Sequence, residues 1–155
     1  MFIQPEVVAT LRRRIAREGW AMAGVGTRNA AVTYVYTVGL QKTFRHPDLI
    51  MFGIAPARAK GVLEIIAERA KAGEPVHESV MILGAAQVPL MPRSADTTRV
   101  ELLVPAQLAR GRYDYVQIVW PDGKERFPWE AGFDKRRLRS QSFLFDVGAT
   151  DSLSP

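Results

Sequence analysis

Two stretches place a histidine beside a carboxylate, His46 with Asp48 and His77 with Glu78, and these are the chain's only histidines. Imidazole titrates near neutrality and serves as acid, base or hydrogen-bonding hinge. His46 also precedes Pro47, which pushes it out of helical geometry at the mouth of an apolar run. It therefore reads either as a ligand contact or as a cap that bonds a backbone carbonyl of its own loop. A zinc site needs three or four ligands, and two histidines remote in sequence meet that need only if the fold gathers them with a carboxylate; no metal is expected. Ser79 follows His77 on the same candidate strand, but a serine hydrolase needs an elbow, a base and an orienting acid, which the sequence does not display. Cysteine is absent, which removes disulfides, thiolate metal ligation and a cysteine nucleophile. The glycines of GWAMAGVG, Gly19 to Gly26, lead into a turn and a further strand rather than a helix, so they make no phosphate loop.

The richest stretch is WPDGKERFPWE, Trp120 to Glu130, with two of the three tryptophans, two prolines, Asp122, Arg126 and Glu130. Before it, the alternation of YDYVQIVW puts Tyr113, Tyr115, Gln117 and Val119 on one strand face and Val116, Ile118 and Trp120 on the other. Pro121, Asp122 and Gly123 are turn-forming types, and they return the chain through Phe127 to Trp129. Aromatic planes beside charged groups suit a ligand pocket. The same composition builds a rigid corner, because tryptophan buries a large area and finds a partner for its indole N–H. As a pocket, the segment offers Arg126 to a carboxylate or phosphate through paired donors, with Asp122 and Glu130 orienting it or meeting ligand donors. As a corner, it has Asp122 bonding turn amides and Glu130 pairing with Arg126.

These residues need a scaffold. Pro5 opens an amphipathic helix that carries Val8, Leu11 and Ile15 on one side and stops at Gly19. WAMAGVG is an apolar strand, TRNAA a turn, and VTYVYTVGL a second strand with Val32, Tyr34, Tyr36, Val38 and Leu40 on one face and Thr33, Val35 and Thr37 on the other. With both faces apolar or β-branched, that strand should be covered on both sides. QKTFRHPDL reads as a loop and LIMFGI as a short buried strand. From Pro56, residues Ala59, Val62, Leu63, Ile66, Ala67 and Ala70 mark one face of a second long helix that Gly73 ends. VHESVMIL, AAQVPLM and RVELLV are three further candidate strands; Pro89 cannot donate to a ladder, which makes the middle one an edge strand or an irregular crossing. PAQLARGR reads as one or two helical turns.

The order of elements predicts an α+β fold, a largely antiparallel or mixed β-sheet flanked by two main helices, with a split barrel as the alternative. With 155 residues, 47% of them hydrophobic, the chain can bury roughly two thirds of its unfolded surface in one core. A single domain over residues 1–146 is expected, followed by a flexible polar tail, 147–155. The opening residues have their charges after their apolar positions, so neither a signal peptide nor an anchor is expected there. No run approaches the ~18 apolar residues of a membrane span, and a cytoplasmic protein is expected. The net charge of +5 suits an anionic partner. Its basic clusters, Arg12 to Arg17 and Lys135 to Arg139, lack the interleaved aromatics of a single-strand groove, which argues against nucleic acid.

GW at Gly19, YTVGL at Tyr36 to Leu40, HPDLIMFGI at His46 to Ile54, and QIVWPDG followed by RFPWE together resemble the bacterial domain of unknown function 4262, in order from about Gly19 to Gln141. Near its end the chain departs from the family's usual glutamine and proline, having QSFL at Gln141 to Leu144. The resemblance implies a small bacterial cytosolic domain and brings no reaction with it.

On these grounds the expected function is a binding or regulatory domain for a small anionic ligand or a protein partner. Its site would form where YTVGL, HPDL and WPDG/FPWE meet, with contacts from Tyr36, Thr37, His46, Asp48, Asp122, Arg126, Trp129 and Glu130. A protein binding flavin mononucleotide at the cleft of a split barrel is the alternative, resting on fold analogy. Tyr34, Val35, Phe44, Phe52, Phe127 and Phe133 exceed what one small core is expected to hold, so some of them should form an interface and make a homodimer.

Overall fold

Pro5 presets the first turn of helix α1 (Pro5–Glu18), and Gly19, at φ +91°, ends it by returning its N–H to the carbonyl of Ile15. A side chain at Gly19 would run into the ring of Phe44 at 2.8 Å, so glycine serves both the left-handed backbone and the close packing. The computed structural model describes residues 4–25, 33–99, 114–136 and 141–147. Within them α1 is followed by β1 (Ala21–Val25), β2 (Tyr34–Val38), α2 (Leu40–Phe44), β3 (Asp48–Phe52), α3 (Pro56–Lys71), β4 (Met91–Ala95), a 3-10 turn at Thr97–Arg99, and β5 (Tyr115–Val119).

The strands form one mixed sheet in the order β1-β2-β3-β5-β4. All neighbours are antiparallel except β3 and β5, which run parallel with Asp48 opposite Tyr115 and Ile50 opposite Gln117. Among the described residues the sheet is open, with β1 and β4 outermost, and no barrel closes. The α+β expectation holds, with α1 and α3 as the main helices.

Period-two alternation sends the central strands' side chains to two cores. Val35, Leu49, Met51, Val116 and Ile118 pack with Trp20, Trp120 and the α3 residues Ala59, Leu63, Ile66 and Ala67. Tyr36, Val38, Ile50, Phe52 and Tyr115 pack with Leu11 of α1 and with Leu144. Strands covered on both faces read as apolar runs, as β3 and β5 do. A fully buried side chain such as Leu63 contributes about 1.5–3 kcal/mol. Val35, Phe52, Phe127 and Phe133 are buried, which removes them from the expected dimer interface. Among the described residues no helix is long and apolar enough to cross a membrane.

Several expectations are corrected. QKTFRHPDL is not all loop: its first part is α2. Gly39, at φ +104°, turns the chain so that Leu40 starts that helix and joins the α3 core instead of continuing the Tyr36 face. VHESVMIL is not a strand, and AAQVPLM takes the irregular-crossing form of its two readings; the two touch through one bridge, Ile82 to Leu90. The edge strand falls instead on the polar Met91–Ala95. There the carbonyl of Pro92 accepts the N–H of Ser79, and Glu78 takes the N–H and hydroxyl of Ser94. Pairing with side chains of a neighbouring turn lets a polar segment serve as an edge. Ser79, at φ +62°, therefore sits in a turn and shares no strand face with His77. The expectations for TRNAA, most of RVELLV, PAQLARGR, Tyr113 and the tail beyond residue 147 lie outside the described residues.

Candidate functional site

The eight candidate residues fall into two groups at opposite ends of the β3–β5 pair, so the expected meeting of three segments in one place does not occur. At the strands' starts, Asp48 takes a hydrogen bond from Asp48-facing Thr37 Oγ1 at 2.8 Å and from the backbone N–H groups of Leu40 at 3.0 Å and Gln41 at 3.4 Å. Its carboxylate thereby caps the first turn of α2 from a different element. Thr37 Oγ1 in turn accepts the N–H of Leu49, and Tyr115 donates its hydroxyl to the Thr37 carbonyl at 2.6 Å. Burial pushes Asp48 up to about 6, although its hydrogen bonds from Thr37, Leu40 and Gln41 oppose the rise. Tyr36, 2% exposed, is a core residue whose ring meets those of Tyr34 and Tyr115.

His46 is buried, and backbone groups engage both ring nitrogens. Val76 donates its N–H to Nε2 at 2.9 Å, and Nδ1 lies 2.7 Å from the Pro47 carbonyl. An accepting Nε2 leaves the proton on Nδ1, so a neutral imidazole ties the mouth of β3 to the chain leaving α3. This is the carbonyl-bonding cap of the sequence reading, with a second tie that the sequence did not foretell.

At the far ends of the strands stands the Trp120 to Glu130 corner. Trp120 donates its indole N–H to the Phe52 carbonyl at 2.7 Å, which locks β5 to the end of β3. Asp122 is 3% exposed and accepts four bonds: from the N–H of Lys124 and Arg126 on Oδ1, and from Arg126 Nε and the N–H of Asp134 on Oδ2. Four donors fill a carboxylate's acceptor capacity. Burial raises its pKa, but the three backbone donors and the Arg126 charge outweigh that and hold it down at about 2. Glu130 does not pair with Arg126; it accepts the N–H of Phe127, while its own N–H bonds the Phe127 carbonyl.

Trp129 is half-buried among three side chains. Phe127 lies parallel to it at 5.3 Å, and the Arg93 guanidinium sits 4.0 Å over its ring. Phe145 meets its edge. Arg126 differs from these neighbours. Its Nε is fixed to Asp122 at 3.1 Å, its side chain is 34% exposed, and its terminal nitrogens have no hydrogen-bond partner among the described residues. The guanidinium rests against Gly132, at φ +83°, where a Cβ would meet Nη1 at 2.6 Å.

Three residues that organise this end were not singled out by sequence reasoning. Gln141 is fully buried and spans the Trp120 backbone, accepting its N–H at 3.1 Å and donating to its carbonyl at 3.0 Å. Gln117 does the same for segment 141–147, bonding the Ser142 carbonyl and the Leu144 N–H. A glutamine inside an otherwise apolar strand, YVQIV, was the available signal. Arg93, on β4, carried none.

The geometry defines a double-cored α+β domain with an open mixed sheet, whose β3–β5 pair is tied at each end by a buried aspartate. The chain belongs to the family described as domain of unknown function (DUF4262), whose model matches residues 14–134. No curated protein and no solved structure matches it.

Proposed function

We propose that the domain is a binding module for a small anionic ligand or an acidic group of a partner, with Arg126 as the contact. The observation that carries this reading is the orientation of Arg126. Asp122 holds its Nε, the guanidinium lies close to Gly132, and its terminal nitrogens bond no acceptor among the described residues. A guanidinium fixed in this way presents paired donors matched to carboxylate or phosphate at little further cost in side-chain freedom. The polar groups suited to proton transfer are otherwise engaged: His46 by two backbone groups and Asp122 by four donors. Those bonds support a binding role over catalysis at these residues. Thr37 and Asp48 support the site only remotely, by fixing the other end of β3.

The test is a thermal-shift and tryptophan-fluorescence screen against inorganic phosphate, sugar phosphates, organic acids, nucleotides and flavin mononucleotide. Trp129, three residues from Arg126 in the chain, should respond more than Trp20, which is buried in the α3 core. Saturable quenching with a rise in melting temperature, both lost in a folded Arg126→Ala variant, is the expected result. An Arg126→Ala variant that responds to the same ligand as the parent does would overturn the assignment.

A further inference from the structure

Backbone amides that converge on one point make an anion site, and the corner after Trp120 has such a set. The N–H groups of Lys124, Arg126 and Asp134 meet one carboxylate, each at 2.9 Å. Their occupant is Asp122, an anion supplied by the chain itself. Asp122 also takes Arg126 Nε at 3.1 Å, so that edge of the guanidinium is closed as well. What is left to a guest is the far end, Nη1 and Nη2, on a side chain 34% exposed. The surroundings add no charge. Residues 122–136 hold four acidic and four basic side chains, so the chain's excess of +5 lies elsewhere. Arg136 is engaged by Asp134 at 3.0 Å through both Nε and Nη2, and Glu130 is held by the N–H of Phe127.

We propose that the Arg126 site takes a carboxylate, and that Asp122, as the resident anion, selects against phosphate; this rests on the reading of Arg126 as an anion contact. The Nη1 and Nη2 end of a guanidinium offers two N–H bonds in one plane, which match the two oxygens of a carboxylate. Geometry alone admits phosphate too, since a guanidinium also grips two of its oxygens. The converging amides that would favour phosphate are closed to it, because Asp122 fills them. Charge then decides. Attraction to the site grows in proportion to the guest's charge, whereas the cost of taking the guest out of water grows with the square of that charge. Asp122 beside the guanidinium weakens the local attraction. A doubly charged guest therefore meets about four times the desolvation cost with only about twice a reduced attraction, and a singly charged group binds better. Such a group is a short free organic acid or a carboxylate of another protein; the chemistry at Arg126 is the same for both.

The test follows the Arg126 Nε–H signal in nitrogen–proton correlation spectra of the parent, assigned by its loss in Arg126→Ala, at constant ionic strength. Acetate and methanesulfonate are singly charged and sulfate doubly charged, and methanesulfonate shares the tetrahedral oxygens of sulfate, so charge and shape are read separately. The signal should saturate with acetate at a concentration at least about threefold below that needed for sulfate, with methanesulfonate between them. Acetylated dialanine and its C-terminal amide separate the sources. Binding tighter than that of acetate places a chain end on the site, binding equal to it a free acid, and an amide that binds like the acid overturns the carboxylate. Asp122→Asn, checked by circular dichroism, should erase acetate's advantage over sulfate; a folded variant that keeps it removes Asp122 as the selecting group. Where that variant does not fold, the parent's own order of affinities decides. Sulfate that saturates at or below the acetate concentration overturns the proposal and leaves Arg126 as an anion contact. The absence of a saturable shift with every one of these anions removes that contact itself, and the carboxylate with it.

Discussion

Asp48 and Asp122 occupy opposite ends of the same strand pair and are almost equally buried, at 4% and 3% exposure, yet their acidities move in opposite directions, to about 6 and about 2. Burial alone raises both. Asp48 lies deeper beneath the surface despite the similar exposure, and the donors that face each carboxylate widen the difference. Asp122 receives three turn amides and a guanidinium at 2.9–3.1 Å. Asp48 receives one hydroxyl, one amide at 3.0 Å and another at 3.4 Å, and no cation figures among the causes of its shift. Depth of burial and the number of N–H groups the surrounding backbone turns toward it, with or without a positive charge, together decide whether such a carboxylate is a stable anion or a strained one.

The largest effect should come from Asp122→Ala, which strands the amides of Lys124, Arg126 and Asp134 together with the Arg126 charge. Removing one side of a buried charged network costs about 3–5 kcal/mol, so urea denaturation should show a loss of that order. Asp48→Ala should cost visibly less if the contrast is right, and equal losses would break it.

The second effect appears as a pH dependence of opposite sign at the two sites. The unfolded chain holds the Asp48 proton at about its ordinary value of 3.8, and the native state holds it to about 6. The native state therefore binds more protons between those values, and stability falls as pH rises through that window. The shift corresponds to about 3 kcal/mol at 1.36 kcal/mol per unit. Asp122 behaves in the reverse sense: its contribution is present above about 4 and is lost as pH falls toward 2. Asp48→Asn keeps an oxygen for Thr37 and Leu40 without the charge. Compared with the parent, it should gain stability at pH 7 and lose that advantage at pH 4.5, as measured by paired urea titrations.

The smallest effect isolates Arg126 from its anchor. Gly132→Ala places a methyl where the guanidinium now lies and forces a side chain onto a left-handed backbone, at a cost of about 1–2 kcal/mol. Any ligand response assigned to Arg126 should weaken more than the melting temperature does. A response that tracks stability alone would make Gly132 a folding residue only.

Both long helices were legible because local signals mark them fully: proline at the start, glycine at the end, and apolar residues at helical spacing between. The central strands were legible as apolar runs. The Val80 region was misread for a physical reason, since its apolar residues imitate a buried strand while lying in water, and the true edge strand, MPRSA, owes its place to pairing that no local pattern reports. The site residues were legible as types but not as places. Asp122 bonding turn amides follows from a Pro-Asp-Gly turn. The separation of HPDL from FPWE depends on β5 entering the sheet parallel to β3, a pairing between distant parts of the chain. Gln117 and Gln141 show their roles only once segment 141–147 lies on the strand.

That parallel pairing also governs how the sheet can assemble. β1, β2 and β3 are neighbours in sequence and in space, so they can zip together as a meander. β5 reaches its slot only after α3 and β4 have been made, and it must enter between β3 and the strand that precedes it in the chain. Closing such a distant contact costs chain entropy before any burial offsets it, and it slows the search. Until β5 arrives, the edge of β3 stands open with Leu49 and Ile50 uncovered, the condition in which nascent sheets find wrong partners. Refolding is therefore expected in two stages, with an early meander and a late insertion. Aggregation should be worst in the interval between them and fall once Trp120 has reached the Phe52 carbonyl.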